Sequence, residues 1–100
     1  MLPEPLPAKY ELYQSIISNG NVEIERIIST GQSTPVDKWL EQDRNEWVIL
    51  LQGESELSIE SEDKRILKAG DYILIPKNQK HRVERTSVVP PCIWLAVHYE

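Results

Sequence analysis

The sequence predicts an all-β fold in a single domain. Short stretches that alternate apolar and polar residues, the period of a strand, follow one another along most of the chain, and turn signals separate them about every 8 to 12 residues. No stretch after Asn19 has the apolar spacing of an amphipathic helix of ordinary length. The chain has 100 residues, 40% of them hydrophobic, which suits one hydrophobic core. Short strands at this spacing are typical of a β-sandwich or a β-barrel.

The first part of the chain holds an arm and two strand candidates. Three prolines within residues 1–9 exclude a helix there, so this arm is predicted to be extended. Residues 10–18 fit either a strand or a short helical turn, and a turn signal around Gly20 follows them. Residues 22–29 then alternate with strand period, and residues 36–42 form a further extended stretch.

The second half of the chain divides into strand candidates more clearly. They are residues 47–52, 56–60, 65–68, 72–75, 81–85 and 93–99. Gly53, a polar tip at residues 61–64, Gly70 and Pro76 separate the first five of them. The acidic stretch between residues 54 and 63 is interpreted as the solvated face of a hairpin, and not as a site.

Composition narrows the function classes. Sixteen acidic residues against eleven basic ones give a formal net charge of −5 at pH 7, which disfavours nucleic acid and anionic membranes as partners. The single cysteine, Cys92, cannot form a disulfide within the chain. The first residues lack the basic start of a signal peptide, and no apolar run approaches the roughly 18 residues of a membrane helix. We therefore expect a soluble cytoplasmic protein.

Two motifs with fixed spacing carry a family resemblance. In the first, Glu46 is followed by six residues and Gly53; in the second, Gly70 is followed by five residues, Pro76, four residues and His81. In this order the two motifs resemble the signature motifs of the cupin superfamily. Sixteen residues separate the two glycines, and this spacing resembles that of small single-domain cupins. The resemblance covers residues 31–99 and implies one domain over residues 1–100. That domain would be a cupin-type antiparallel β-barrel, also called a double-stranded β-helix or jelly roll.

The two motif glycines also have a physical explanation that does not depend on the resemblance. Gly53 and Gly70 are predicted to lie at sharp turns where a Cβ atom would clash. Asn78 stands where the family has a third glycine, and asparagine also tolerates a left-handed backbone.

The chain departs from the family pattern in the first motif. Cupins with complete motifs bind a divalent metal through three histidines and one glutamate. Of that set only Glu46 and His81 remain, because the two further histidine positions hold Leu40 and Gln42, or Trp39 and Glu41, depending on the spacing used.

A polar pocket at one end of an apolar interior is the binding site that these residues predict. Strand alternation places Glu46, Val48 and Leu50 on one face, and His81 and Val83 on one face of another strand. The candidate metal ligands are Glu46, His81, Gln42, Glu41 and His98, a donor set suited to Zn²⁺, Mn²⁺, Fe²⁺ or Ni²⁺. The candidate pocket residues are Trp39, Val48, Leu50 and Tyr72.

Structural roles are open for the same side chains. Instead of a role in the site, Glu46 could form a hydrogen bond with a backbone amide, Arg82 or Arg85. His81 could instead lie in an exposed loop. For His98 the favoured interpretation is a partly exposed strand residue near the end of the chain.

Three functions stay open. The first is a pocket that binds an unidentified small molecule, with or without a metal, and the missing histidine pair favours it. The second is a metal-dependent enzyme of the oxygenase or isomerase class with Glu46 and His81 as ligands. The third is a metal-free sugar isomerase or epimerase with His81 as base and Tyr72 as acid. The resemblance also implies a homodimer, since small cupins commonly pair, but it identifies no ligand.

Overall fold

The computed structural model describes residues 8–100; residues 1–7, which hold most of the predicted arm, lie outside the described part. The described chain forms eight strands: β1 Leu12–Asn19, β2 Val22–Ser29, β3 Asn45–Gln52, β4 Glu54–Ile59, β5 Arg65–Lys68, β6 Tyr72–Ile75, β7 His81–Thr86 and β8 Cys92–Tyr99. Residues 8–100 contain no helix, and so none that is long and apolar enough to cross a membrane.

The strands form two antiparallel sheets that pack face to face. One sheet has the order β1-β2-β8-β3-β6 and the other the order β5-β4-β7. Strand β8 lies between β2 and β3, although both precede it by many residues, which is the non-sequential order of a jelly roll. The predicted all-β jelly roll is confirmed, and residues 10–18 resolve as a strand because β1 pairs with β2 across the turn at Gly20.

The core follows from alternation along the two central strands. On β3 the side chains of Val48 and Leu50 point inward, and on β8 those of Trp94 and Ala96 do so, while their chain neighbours face outward. Together with apolar residues of the opposite sheet they form one buried cluster: Val48, Leu50, Leu57, Ile59, Leu67, Ile73, Ile75, Cys92, Trp94 and Ala96. Each fully buried large side chain in such a cluster stabilises the fold by about 1.5–3 kcal/mol.

The two motif glycines differ in what they require. Both have a left-handed backbone, with φ of +93° at Gly53 and +96° at Gly70. A Cβ atom on Gly53 would lie 2.8 Å from the Ser87 hydroxyl oxygen and 2.9 Å from the Cα atom of Cys92, whereas one on Gly70 would meet nothing within 4 Å. The predicted clash is therefore confirmed at Gly53 and wrong at Gly70, where φ alone favours glycine. Asn78 has the left-handed φ of +65° expected for it.

The segment predicted as an extended stretch, residues 36–42, forms no strand but attaches to β7. The amide of Leu40 donates to the carbonyl of His81 at 2.7 Å, and the amide of His81 donates back at 3.0 Å. Further back, the amide of Thr34 donates to the carbonyl of Val83 at 2.8 Å. The segment thus lies along the edge of the smaller sheet, where it covers backbone groups that β7 would otherwise expose.

Candidate ligand-binding cavity

A cavity of about 250 Å³ lies between the two sheets. Its apolar wall consists of Ile27, Leu40, Val48, Leu57, Ile75, Val83 and Trp94. Its polar lining comes from both sheets and from the segment before β3: Glu11, Tyr13, Glu25, Glu41, Gln42, Glu46, His81 and His98. All five residues that the sequence singled out as candidate metal ligands therefore line one cavity, together with three that it did not.

The strand register explains why Glu46 and His98 meet there. Glu46 on β3 is the direct cross-strand partner of His98 on β8, so both side chains project from the same face of the sheet. Inward alternation buries both, with 8% and 6% of their surfaces exposed. Strand β2 pairs with the other edge of β8 and brings Glu25 opposite Ala96, one inward position along from His98.

Glu46 is held by Gln42, four residues earlier in the chain. The side-chain amide of Gln42 donates to the Glu46 carboxylate at 2.5 Å. The backbone carbonyl of Gln42 in turn accepts from the amide of Asn78 at 2.7 Å, which ties the loop of the second motif to the segment before β3. Arg82 and Arg85, the partners considered from the sequence, instead pair with Glu84 and Glu54.

His98 belongs to the cavity and not to the exposed end of a strand, so the interpretation that the sequence favoured for it is wrong. Its Nε2 atom lies 2.8 Å from the Glu25 carboxylate, and its Nδ1 atom has no hydrogen-bond partner. The residue is buried because the register places it on the inward face, a fact that its position near the chain end does not reveal.

His81 is also buried, with 6% of its surface exposed, which excludes the exposed-loop alternative. Its Nδ1 atom lies 2.9 Å from the carbonyl oxygen of Gln79. A carbonyl oxygen can only accept, so Nδ1 carries the hydrogen and, in the neutral ring, Nε2 keeps the lone pair. In its neutral form His81 therefore has a proton acceptor, Nε2, on a side chain that lines the cavity.

Tyr13 and Glu11 come from the start of β1 and just before it. The Tyr13 hydroxyl donates to the Glu11 carboxylate at 3.1 Å, and the Ser29 hydroxyl donates to the other oxygen of that carboxylate. Much of the Tyr13 ring is exposed, but loss of solvent around the phenol raises its pKa to about 12, and the negative charges of Glu11, Glu25 and Glu46 add to the shift. The phenol is thus a hydrogen donor throughout the physiological range.

The predicted pocket residues divide into one inside the cavity and three outside its lining. Val48 lines the cavity, whereas Leu50, two positions further along β3, is fully buried in the core. Tyr72 pairs with the outward-facing Ile49, is 59% exposed, and lies on the outer face of the larger sheet. Trp39 is 43% exposed and packs beside the guanidinium of Arg82, with 5.8 Å to its ring centre. The tyrosine of the cavity is therefore Tyr13, and Tyr72 is not placed to act with His81.

Three polar lining residues, Glu11, Tyr13 and Glu25, were not anticipated from the sequence. The resemblance began at residue 31, so β1 and β2 carried no motif. A signal was nevertheless present on β2, because strand alternation places Glu25 on the same face as Ile27, and an acidic residue within an apolar face points to a pocket.

The donors in the cavity do not fit a metal centre of the four-ligand kind. Among residues 8–100, no three histidine, cysteine, aspartate or glutamate side chains come together in a group that could hold a metal ion. The Nε2 atom of His98 is already paired with the Glu25 carboxylate, and the Glu46 carboxylate already accepts a hydrogen bond from Gln42. Two protein ligands alone would make a weak site.

A jelly roll with a cavity between its sheets, apolar on one side and polar on the other, is the architecture of a small-molecule-binding β-domain. A model of this kind of domain, described as the cupin domain, matches residues 25–98. The chain belongs to the cupin family.

Solved structures agree with this assignment. A protein of Ralstonia eutropha JMP134, provisionally named mannose-6-phosphate isomerase, is 34% identical with a TM-score of 0.93, over 96% of this chain and 90% of that one. A cupin superfamily protein of Desulfitobacterium hafniense DCB-2 is 16% identical with a TM-score of 0.79, over 96% of this chain and 83% of that one. An RmlC-like cupin with a double-stranded β-helix fold from Methanocaldococcus jannaschii is 18% identical with a TM-score of 0.72, over 97% and 86%. No curated protein matches the chain.

Proposed function

We propose that this chain binds a small organic molecule in the cavity between its sheets. The observation that carries the proposal is the division of the lining, with seven apolar side chains on one side and carboxylate, amide, imidazole and phenol groups on the other. Such a surface buries the carbon skeleton of a ligand and orients its polar groups. The volume of about 250 Å³ lies just below the roughly 300–1,000 Å³ of typical ligand pockets, so the ligand is a small one.

Ligand-induced stabilisation tests the proposal directly. A library of small metabolites is screened by thermal unfolding, and each hit is verified by titration calorimetry. A compound present at 100 times its Kd should add about 2.7 kcal/mol to the stability. In a domain of this size that corresponds to a rise in Tm of roughly 11–22 °C.

A pair of matched variants places the binding in the cavity. Val48→Phe fills the cavity from β3, while Ile49→Phe adds comparable bulk on the outer face of the same strand. We expect hits to bind wild type and Ile49→Phe alike, and to lose binding to Val48→Phe. Hits that bind Val48→Phe as well as wild type would move the site elsewhere, and the absence of any hit would refute the proposal.

Proton transfer is a second candidate, and the tautomer of His81 favours it. Hydrogen bonding to the Gln79 carbonyl leaves the lone pair on Nε2, as a general base requires, and Tyr13 supplies a protonated phenol. The solved structure with 34% identity bears an isomerase name, which is consistent with such chemistry. The chain would then act as a metal-free sugar isomerase or epimerase.

Exchange of substrate hydrogen with solvent tests this candidate. Aldoses, ketoses and their phosphates are incubated with the protein in D₂O, and deuterium at the carbon next to the carbonyl is followed by NMR. Exchange that His81→Gln abolishes and Tyr13→Phe slows would support the assignment. Exchange that persists in His81→Gln would remove that residue as the base, and the absence of exchange with every sugar would refute the candidate.

The metal-dependent alternative has less support. It requires further ligands beside Glu46 and His81, and the described residues do not assemble a group of three. A homodimer and a cytoplasmic location stay predictions from the sequence.

A further inference from the structure

The polar lining of the cavity is strongly acidic. Four of its residues are glutamates, Glu11, Glu25, Glu41 and Glu46, and none of the lining residues, all within the described range, is lysine or arginine. From this we infer that the ligand carries a positive charge, as an organic ammonium group attached to a small apolar skeleton. The inference rests on the proposed function and specifies the ligand class.

Within residues 8–100, the side chains bonded to Glu11, Glu25 and Glu46 are hydroxyl groups, an amide and the imidazole of His98. Glu46 accepts from a neutral amide, and Glu11 accepts from two neutral hydroxyl groups. Two basic side chains near lining residues in the sequence pair with other carboxylates, since Arg44 pairs with Glu23 at 3.0 Å and Arg82 with Glu84 at 3.2 Å. Carboxylates gathered in a partly dehydrated space repel one another, and a cation among them relieves that repulsion.

The phenol of Tyr13 reports the resulting negative potential. Part of the rise in its pKa comes from three of these glutamates, which oppose the formation of a further negative charge beside them. A ligand anion entering the same space would meet the same opposition.

His98 provides a second, independent indication of a hydrogen-donating ligand. The residue is 94% buried and lines the cavity, yet its Nδ1 atom has no hydrogen-bond partner. In the neutral ring with the hydrogen on Nε2, directed at Glu25, Nδ1 is an acceptor without a partner. An ammonium group has donors and no acceptor, so it complements this nitrogen as well as the carboxylates.

The same features disfavour a phosphorylated sugar. Proteins recognise phosphate groups through arginine, lysine or backbone amides at helix ends, and the lining includes neither basic side chain while residues 8–100 include no helix. We therefore expect this chain to differ in ligand from what the isomerase name of its 34%-identical structural neighbour would suggest.

A set of probes with one carbon skeleton and three charges tests the inference. Cyclohexylmethylamine, cyclohexylmethanol and cyclohexanecarboxylate are titrated into the protein at pH 7 and low salt, with mannose 6-phosphate as the phosphate probe, and binding is followed by NMR. We expect the amine to bind at least tenfold more tightly than the alcohol, and neither anion to bind. Raising the salt concentration should weaken only the amine.

Isosteric variants assign the effect to the cavity. Glu25→Gln and Glu46→Gln each remove one lining charge while keeping a side chain of the same shape, and Glu60→Gln removes one from an exposed position outside the lining. The two cavity variants should weaken amine binding at least fivefold and alcohol binding much less, and Glu60→Gln should change neither. Because the substitutions are isosteric, we expect all three variants to fold. A cooperative thermal unfolding transition in each variant verifies this.

The outcomes separate this inference from the proposed function. Equal binding of amine and alcohol, or tight binding of either anion, would overturn the inference and keep the ligand-binding cavity. If no probe binds but the screen yields neutral or anionic hits that Val48→Phe abolishes, the inference is again overturned alone. If neither experiment finds a ligand, both fail.

Discussion

Replacing Gly53 by alanine should destabilise the fold more than the same change at Gly70. Both residues have a left-handed backbone, which costs an alanine roughly 1–2 kcal/mol. At Gly53 the new methyl group would also lie 2.9 Å from the Cα atom of Cys92, a backbone atom that is held in β8 by pairing of Cys92 with Ser29 of β2. Overpacking of this kind adds typically about 1–3 kcal/mol.

The comparison isolates the clash from the backbone conformation, since Gly70 has open space around it. The extra loss of about 2 kcal/mol in Gly53→Ala corresponds to a Tm roughly 8–16 °C below that of Gly70→Ala. Thermal unfolding followed by circular dichroism in one buffer measures both variants. Equal losses of Tm would refute the argument, because they would mean that the space beside Gly53 is not closed as the structure shows.

Three further predictions concern titration, metal content and assembly. Tyr13 should ionise near pH 12 and not near pH 10 in an absorbance titration that uses Tyr13→Phe as the reference. Because folding raises the pKa of Tyr13, the wild type should lose stability relative to that variant as the pH rises from about 10 to about 12. Elemental analysis of protein purified without chelator should find far less than one transition metal per chain; a stoichiometric metal lost in His81→Ala would contradict the donor geometry. The predicted homodimer should appear in light scattering, and Leu74→Asp, on the apolar outer face, should dissociate it; a monomeric wild type would refute it.

Local pattern predicted the strands and the inward position of part of the site. A period of two is enough to place Glu46 and Val48 on one face of β3, and the motif spacing singled out His81. It is not enough to say which face of a short strand is inward. For that reason Tyr72, on a strand of four residues, was expected in the pocket although it faces solvent.

Long-range pairing is what the sequence did not reveal. Glu25 and His98 are 73 residues apart and meet because β2 and β8 are neighbours in the sheet, an arrangement that no local pattern encodes. The same holds for Glu41 and Gln42, which line the cavity because their segment attaches to the edge of β7. The sequence therefore indicated which residues could belong to a site, and the structure was needed to show which of them contact one another.

The central position of β8 has a consequence for how the protein folds. The larger sheet cannot assemble until residues 92–99 are available to pair with β2 and β3, so nearly the whole described chain must leave the ribosome first. Contacts between distant segments also make folding slow, on the order of milliseconds to seconds for all-β domains. Until β8 is in place, β2 and β3 each present an unpaired edge, and a nascent chain at this stage is vulnerable to aggregation.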